Sequence, residues 1–193
     1  MATAVPVPTS SPAYYLRPNE SYIPVEEYLR TAYRPDMEYV DGHLEDRNVG
    51  EAEHSRLLQI LGMLFGMHEE EWNTLTYPDC RLQVKEYRYR VPDLLVLPAD
   101  QPAHRIVRNP PLLCVEVLSP EDTLKRILSR VEDYLAMGVR SVWIFNPESE
   151  EVLICVDGEK RWTNEGTLTV PGTAIQIDRQ ELFRRFKRSL AQQ

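Results

Sequence analysis

Two short runs of the chain, residues 91–97 (Val-Pro-Asp-Leu-Leu-Val-Leu) and 112–118 (Leu-Leu-Cys-Val-Glu-Val-Leu), are apolar at odd and even positions alike. A strand points successive side chains to opposite faces, so such runs must lie inside a sheet that is covered on both sides. Each carries one acid, Asp93 directly after Pro92 and Glu116 in the second half of its run. An ionised carboxylate in that setting costs several kcal/mol unless it is paired or ligates a metal. Glu116 therefore reads either as the partner of a buried arginine or as a ligand, and Asp93 either as a strand-entry turn residue or as a ligand. Two acids on neighbouring central strands would form an oxygen-rich pocket suited to Mg²⁺, a hard cation that keeps several of its waters, with the Val117 carbonyl as a further ligand. A metal there activates water and neutralises charge on a phosphate.

The surrounding pattern gives an α+β fold with a mixed sheet. Residues 112–118 end at Ser119-Pro120-Glu121-Asp122, a helix-start signal with Ser119 as N-cap and Pro120 in the first helical position. The predicted helix runs to about Met137 with Leu124, Ile127, Leu128, Val131, Tyr134 and Leu135 as its stripe, and stops at Gly138. Residues 139–145 form the next strand, parallel to the first across a βαβ crossover. Upstream, residues 24–32 read as a short helix, and residues 37–40 and 43–46 as a hairpin around Asp41-Gly42. Leu57, Leu58, Leu61, Leu64 and Phe65 mark an amphipathic helix from Glu51 to about His68. Strand-like runs at 80–86 and 90–97 flank Tyr87-Arg88-Tyr89. Downstream, short strands at 151–156, 160–163 and 168–170 precede a helix over 181–190.

With 193 residues the expectation is a disordered arm over 1–20 and a single domain over 21–193. Thirty acids against 22 basic residues give a net charge of -8, which excludes a broad electrostatic footprint for nucleic acid and permits only a local basic groove. Candidates for that groove are Arg81, Lys85, Arg88 and Arg90, interleaved with Tyr87 and Tyr89, and the cluster Arg184, Arg185, Lys187 and Arg188. Cys80, Cys114 and Cys155 are too widely spaced for a zinc or redox motif and read as core thiols in a reducing, cytoplasmic setting. No apolar run approaches the ~20 residues of a membrane helix.

Val-Pro-Asp at 91–93, the 23-residue step to Glu116, the Glu-Val-Leu-Ser-Pro run and Tyr-Leu-Ala-Met-Gly-Val-Arg-Ser-Val-Trp-Ile-Phe-Asn-Pro together resemble the Uma-two family of the PD-(D/E)XK restriction-enzyme-like superfamily. Val-Glu-Glu-Tyr-Leu, Met-Glu-Tyr-Val-Asp-Gly and His54 extend the resemblance over about residues 21–160. It implies a restriction-endonuclease-like mixed β-sheet core flanked by helices, with an N-terminal hairpin and additional C-terminal strands. It also implies Mg²⁺-dependent (or Mn²⁺-dependent) cleavage of DNA, with Asp93 and Glu116 as metal ligands and with Glu38 and His54 lining the same pocket. Periodicity independently places His54 on the face of Leu57 and Leu58.

One departure concerns the superfamily lysine. Two residues after the second acid this chain has Leu118, and the family position on the following helix, four before the tyrosine, is Arg130, four before Tyr134. Helical spacing puts Arg130 beside Ile127 and Tyr134 at one rim of the stripe and Lys125 at the other, without choosing between them. An arginine can stabilise negative charge but hardly acts as a base. The rival reading is therefore a catalytically weak or inactive nuclease-like scaffold that binds nucleic acid or protein. A third, an oligomerisation domain, is motivated by the strand-rich C-terminal part with Trp143 and Trp162, and a homodimer is the expected assembly.

Overall fold

The structure is a computed structural model that describes residues 22–47 and 50–191; the expected arm at 1–20 lies outside the described residues. Pro24 leads into α1 (Val25–Arg30), its ring fixing the φ needed before a first turn. Asp41 and Gly42, at φ 50° and 97°, form the tight turn that joins β1 (Met37–Val40) to β2 (His43–Asp46), with Val40 opposite His43. The long helix α2 (Ala52–Met67) buries Leu57, Ile60, Leu61 and Phe65, and α3 (Glu69–Trp72) follows at once. Then come β3 (Thr74–Pro78), β4 (Leu82–Lys85), β5 (Arg88–Arg90), β6 (Leu94–Pro98) and β7 (Leu113–Val117). The crossover helix α4 (Leu124–Met137) ends on Gly138 at φ 100° and returns the chain as β8 (Ser141–Phe145). The chain finishes with β9 (Val152–Val156), β10 (Glu159–Thr163), β11 (Thr167–Thr169), β12 (Gln176–Asp178) and α5 (Arg179–Leu190).

The main sheet has the order β10-β9-β8-β7-β6-β3, with β7 and β8 parallel as the crossover requires and the other pairs antiparallel. A smaller antiparallel sheet has the order β2-β1-β5-β4, and β11 pairs with β12. The main sheet is covered on both faces. Leu113, Val115 and Val117 of β7 join Leu57, Leu61, Phe65 and Phe183 on the α2 and α5 side. Cys114 of β7 joins Ile127, Val131 and Tyr134 on the α4 side. The period of two then sends Glu116, like Cys114, towards α4.

Four expectations need correction. The run at 90–97 is two strands: β5 belongs to the small sheet and β6 to the main one, and the chain changes sheets at Val91-Pro92-Asp93. Pro92 has no N–H to give a ladder, so the break falls there. Helix α4 begins at Leu124, with Thr123 Oγ1 accepting from Arg126 N, because Ser119 and Asp122 close a turn of their own. In that turn Ser119 N donates to Asp122 Oδ2 at 2.9 Å and Asp122 N to the Ser119 carbonyl at 2.9 Å. Leu124 is consequently exposed, and the buried stripe starts at Ile127. Trp143 is wholly buried between Phe65 and Phe145, which removes it from any docking surface, whereas Trp162 on β10 is partly exposed. Strands β3 and β12 were not foreseen; both are short, and β3 alternates only weakly.

Cys80, Cys114 and Cys155 are free thiols, the last two buried. Among the described residues no helix is long and apolar enough to cross a membrane. The central strands are the least tolerant part of the fold: Leu95→Ala, at a fully buried position of β6, is expected to cost about 2–5 kcal/mol in urea-monitored unfolding.

Candidate functional site

The sheet change at Pro92 leaves Asp93 beside the C-terminal end of β7, and the main chain of β7 ties it there: Val117 N donates to Asp93 Oδ2 at 2.8 Å. His54, in the first turn of α2, also meets Asp93 Oδ2, through Nε2 at 3.2 Å. Arg47, just past β2, meets Asp93 Oδ1 at 3.1 Å and Asp79 Oδ1 at 2.7 Å. Together Arg47, His54, Asp93, Glu116, Val117, Ser119, Asp122 and Arg130 line one narrow cleft with about 20 Å³ of room for the centre of a water-sized guest. That suffices for a water or a bare ion. A broader cleft of about 310 Å³ adjoins it, sharing Arg47, His54 and Asp93 and bounded further by Asp36, Ser55 and Asp79.

Behind Glu116 stands an ionic framework whose centre, Glu38, Arg90 and Asp133, is buried. Tyr134 donates to Glu116 Oε1 at 2.5 Å, and Arg130 Nη1 lies 3.4 Å from Oε2. Arg130 Nε lies 3.4 Å from Glu38 Oε2, whose carboxylate also takes Arg90 Nη1 at 2.8 Å and Val91 N at 3.0 Å. Arg90 in turn reaches Asp133, Glu45 and Ser129, and Arg88 pairs with Asp133 and Asp41. Glu38 is therefore no solvated hairpin residue: it is fully buried, does not itself line the cleft, and aims Arg130 at it. Lys125 is exposed and Arg130 is buried, so the helix offers the cleft its arginine.

These surroundings separate the acids. Burial works against ionising Glu38, but the Arg130 and Arg90 charges and the Val91 N–H outweigh it and hold the carboxyl below its ordinary range. Burial likewise opposes the Asp93 charge, and the His54 hydrogen bond and charge, the Val117 N–H and Arg47 overcome it. Glu116 goes the other way. Burial pushes it up to about 8; Arg130 counters, but Asp93 and Glu38 add repulsion. Burial lowers His54, yet its bond and attraction to Asp93 raise it on balance.

Among the described residues no three His, Cys, Asp or Glu side chains close into a ready-made metal cage. The donors that do converge are hard oxygens: the Asp93 and Glu116 carboxylates, with Asp122 at the rim of the same cleft. Mg²⁺ is usually held by one or two carboxylates, its remaining positions filled by water and phosphate, so this set fits it. Asp122, Ser119 and Arg47 were not singled out from sequence. The expected helix start hid the first two, and Arg47 carries no pattern that marks it.

The first basic group proposed for phosphate binding is otherwise engaged. Arg90 is buried in the framework, Arg88 is bound to Asp133 and Asp41, and Arg81 reaches Asp36 and lies over the Tyr28 ring at 4.7 Å. Tyr89 is buried against Tyr28 and Tyr39, leaving Tyr87 exposed. In the C-terminal group, Arg184 and Arg185 pair with Glu181, and Lys187 with Glu150, on the exposed side of α5.

The fold is that of a nuclease-like protein of known structure. A crystal structure described as "a putative nuclease belonging to DUF820 from Anabaena variabilis ATCC 29413" superposes with a TM-score of 0.75 at 18% identity, over 85% of this chain and 99% of that one. The sequence matches the family described as "Uma2: Putative restriction endonuclease" over residues 25–182, and the chain belongs to that family. A DrdV–DNA complex aligns at a TM-score of 0.37 and 13% identity, over 69% of this chain and 13% of that one, too remote to carry an argument. No curated protein matches.

Two outcomes are expected. Arg90→Ala removes a counter-charge that buried Glu38 shares with Arg130 and Asp133 shares with Arg88, and should cost about 3–5 kcal/mol in denaturant unfolding. Glu116 has its folded pKa raised from 4.5 to about 8, so its stabilising contribution is complete below pH 4.5 and is lost as pH rises through about 8. In metal-free buffer the melting temperature of Glu116→Gln should therefore gain on the wild type between those values and level off above them; a gap independent of pH would contradict the assignment.

Proposed function

We propose that the protein is a Mg²⁺-dependent endonuclease that hydrolyses phosphodiester bonds of DNA, with Mn²⁺ as a substitute ion. The observation that supports this reading above others is the meeting of two acids from separate segments, Asp93 and Glu116, in one cleft with a fixed, permanently charged Arg130. Asp93, Glu116 and the Val117 carbonyl would hold the ion. When bound, it supplies Lewis acidity and a lowered pKa for coordinated water.

The chain's own residues do the rest. Arg130, anchored by Glu38, presents a guanidinium to the negative charge that grows on a phosphate in the cleft, with its direction set before substrate arrives. It cannot serve as a base, because a guanidinium does not lose its proton in this range. His54 donates through Nε2 to Asp93, fixing that carboxylate, and stands where the narrow and broad clefts join, so it also orients a water entering between them. Glu38 positions, and Tyr134 restrains the Glu116 carboxyl through its hydroxyl. The free cysteines agree with a reducing, cytoplasmic setting. The sheet edges at β3 and β10 offer pairing surfaces for a homodimer, which light scattering on the purified protein checks.

Incubation with supercoiled plasmid and Mg²⁺ or Mn²⁺ tests the chemistry. Nicking should appear with metal and vanish with chelator. Asp93→Ala and Glu116→Ala should each lower it by about 10²-fold or more, and Arg130→Ala by about 10²–10³-fold. The replacement of the superfamily lysine by Arg130 is the observation that favours the scaffold reading. No cleavage and no calorimetric metal binding at millimolar ion would establish that reading instead.

A further inference from the structure

The two cations at the cleft are held in opposite ways. Arg130 is 7% exposed and wedged between Glu38 and Glu116, with the hairpin sheet behind it. Arg47 sits at the junction of the narrow cleft and the broad one, and the broad one offers about 310 Å³ into which its side chain can turn. Its tighter partner is the outer one, Asp79 at 2.7 Å, whose side chain is 55% exposed; the inner contact, to Asp93, is longer at 3.1 Å.

The two oxygens of Asp93 are likewise unequal. Oδ2 accepts from the main chain of β7 at Val117 and from the His54 side chain in the first turn of α2. Oδ1 faces Arg47. A divalent ion that takes Asp93 must approach an oxygen already satisfied by a guanidinium, and two cations cannot share that oxygen without strong repulsion in a partly buried site.

We propose that Arg47 is the exchangeable counter-ion of Asp93: a divalent ion displaces it from Oδ1, and Asp79 keeps it at the cleft mouth, where it engages the phosphate backbone of an entering nucleic-acid strand. The inference rests on the reading of Asp93 as a metal ligand. Asp79, and not the cleft alone, makes it work, because an arginine that loses Asp93 retains a partner 2.7 Å away. One guanidinium nitrogen, Nη2, bridges the two carboxylates, and the planar set of donors around it suits a phosphate once Asp93 is released.

Calorimetry with Mn²⁺ alone on the full chain reads the first half. Arg47→Gln, which cannot compete for Oδ1, should bind Mn²⁺ about tenfold more tightly than the wild type, the equivalent of one charge-assisted hydrogen bond. Arg47→Lys keeps the charge, but its ammonium falls about one bond short of the place from which Nη2 bridges Asp79 and Asp93, so it should also bind more tightly. If only the local charge mattered, Arg47→Lys would match the wild type, and that result overturns direct exchange. The second half is read in Ca²⁺ by fluorescence anisotropy of a labelled DNA duplex, where Arg47→Gln should bind several-fold more weakly; unchanged DNA affinity removes the phosphate role. A structure soaked in Mn²⁺ should show Arg47 on Asp79 and more than 4 Å from Asp93 Oδ1, and an ion on Asp93 with Arg47 still in place refutes the exchange. Asp93→Asn separates the two readings. Wild-type binding abolished by Asp93→Asn but not tightened by either Arg47 variant leaves the metal site standing and overturns this inference alone, whereas no binding by any variant overturns both.

Discussion

Ionised carboxylates enclosed by a doubly covered sheet persist only where positive charge is brought to them, and much of this molecule is arranged to do that. Glu38 and Asp133 are almost completely buried, and Arg90 joins them. That single side chain, from β5, links the hairpin to α4 through Glu38, Glu45 and Asp133. Such a framework adds less net stability than its short distances suggest, because each ion has lost its hydration. Its effect is orientation: Glu38, fixed by Arg90 and by Val91 N, aims Arg130 at the end of β7.

Topology decides where that end lies. The crossover through α4 makes β7 and β8 parallel, so the chain leaves β7 on one side of the sheet and must pass over its edge before the helix begins. Ser119 and Asp122 spend that passage in a self-contained turn, which keeps the helix from starting at once and leaves Asp122 at the rim of the cleft. The sheet change at Pro92 delivers Asp93 from the opposite direction. Two breaks in regular structure, each with a local chemical cause, thus meet across the C-terminal end of one strand.

The same causes explain what was legible in the sequence. The doubly apolar runs identified the central strands, and period 3.6 put Arg130 at one rim of the helix stripe and Lys125 at the other, a choice that only their burial decides. The Asp41-Gly42 turn fixed the hairpin register because few residues tolerate positive φ twice in succession. What escaped was non-local. Pro92 marked a break, but nothing near it tells that β5 and β6 enter different sheets. Ser119-Pro120 satisfies the rules for a helix start, and the competing hydrogen bond between Ser119 N and Asp122 Oδ2 becomes visible only with coordinates. The burial of Arg90 was the largest surprise, since an Arg-Tyr-Arg strand reads as surface until its partners on β1, β2 and α4 are known.

An arginine at position 130 also changes how protons can be handled at this site. A lysine could share a proton with a neighbouring water, whereas Arg130 stays charged throughout, its basicity raised further, against burial, by Glu116 and Glu38. Close to it, burial pushes Glu116 up to about 8, and Asp93 raises His54 against the effect of burial. A divalent ion held by Asp93 and Glu116, as proposed, would favour the Glu116 carboxylate and disfavour an imidazolium at His54. Under the proposed function, charge stabilisation would fall to the permanently charged Arg130 and proton transfer to other side chains, where a lysine could have served both.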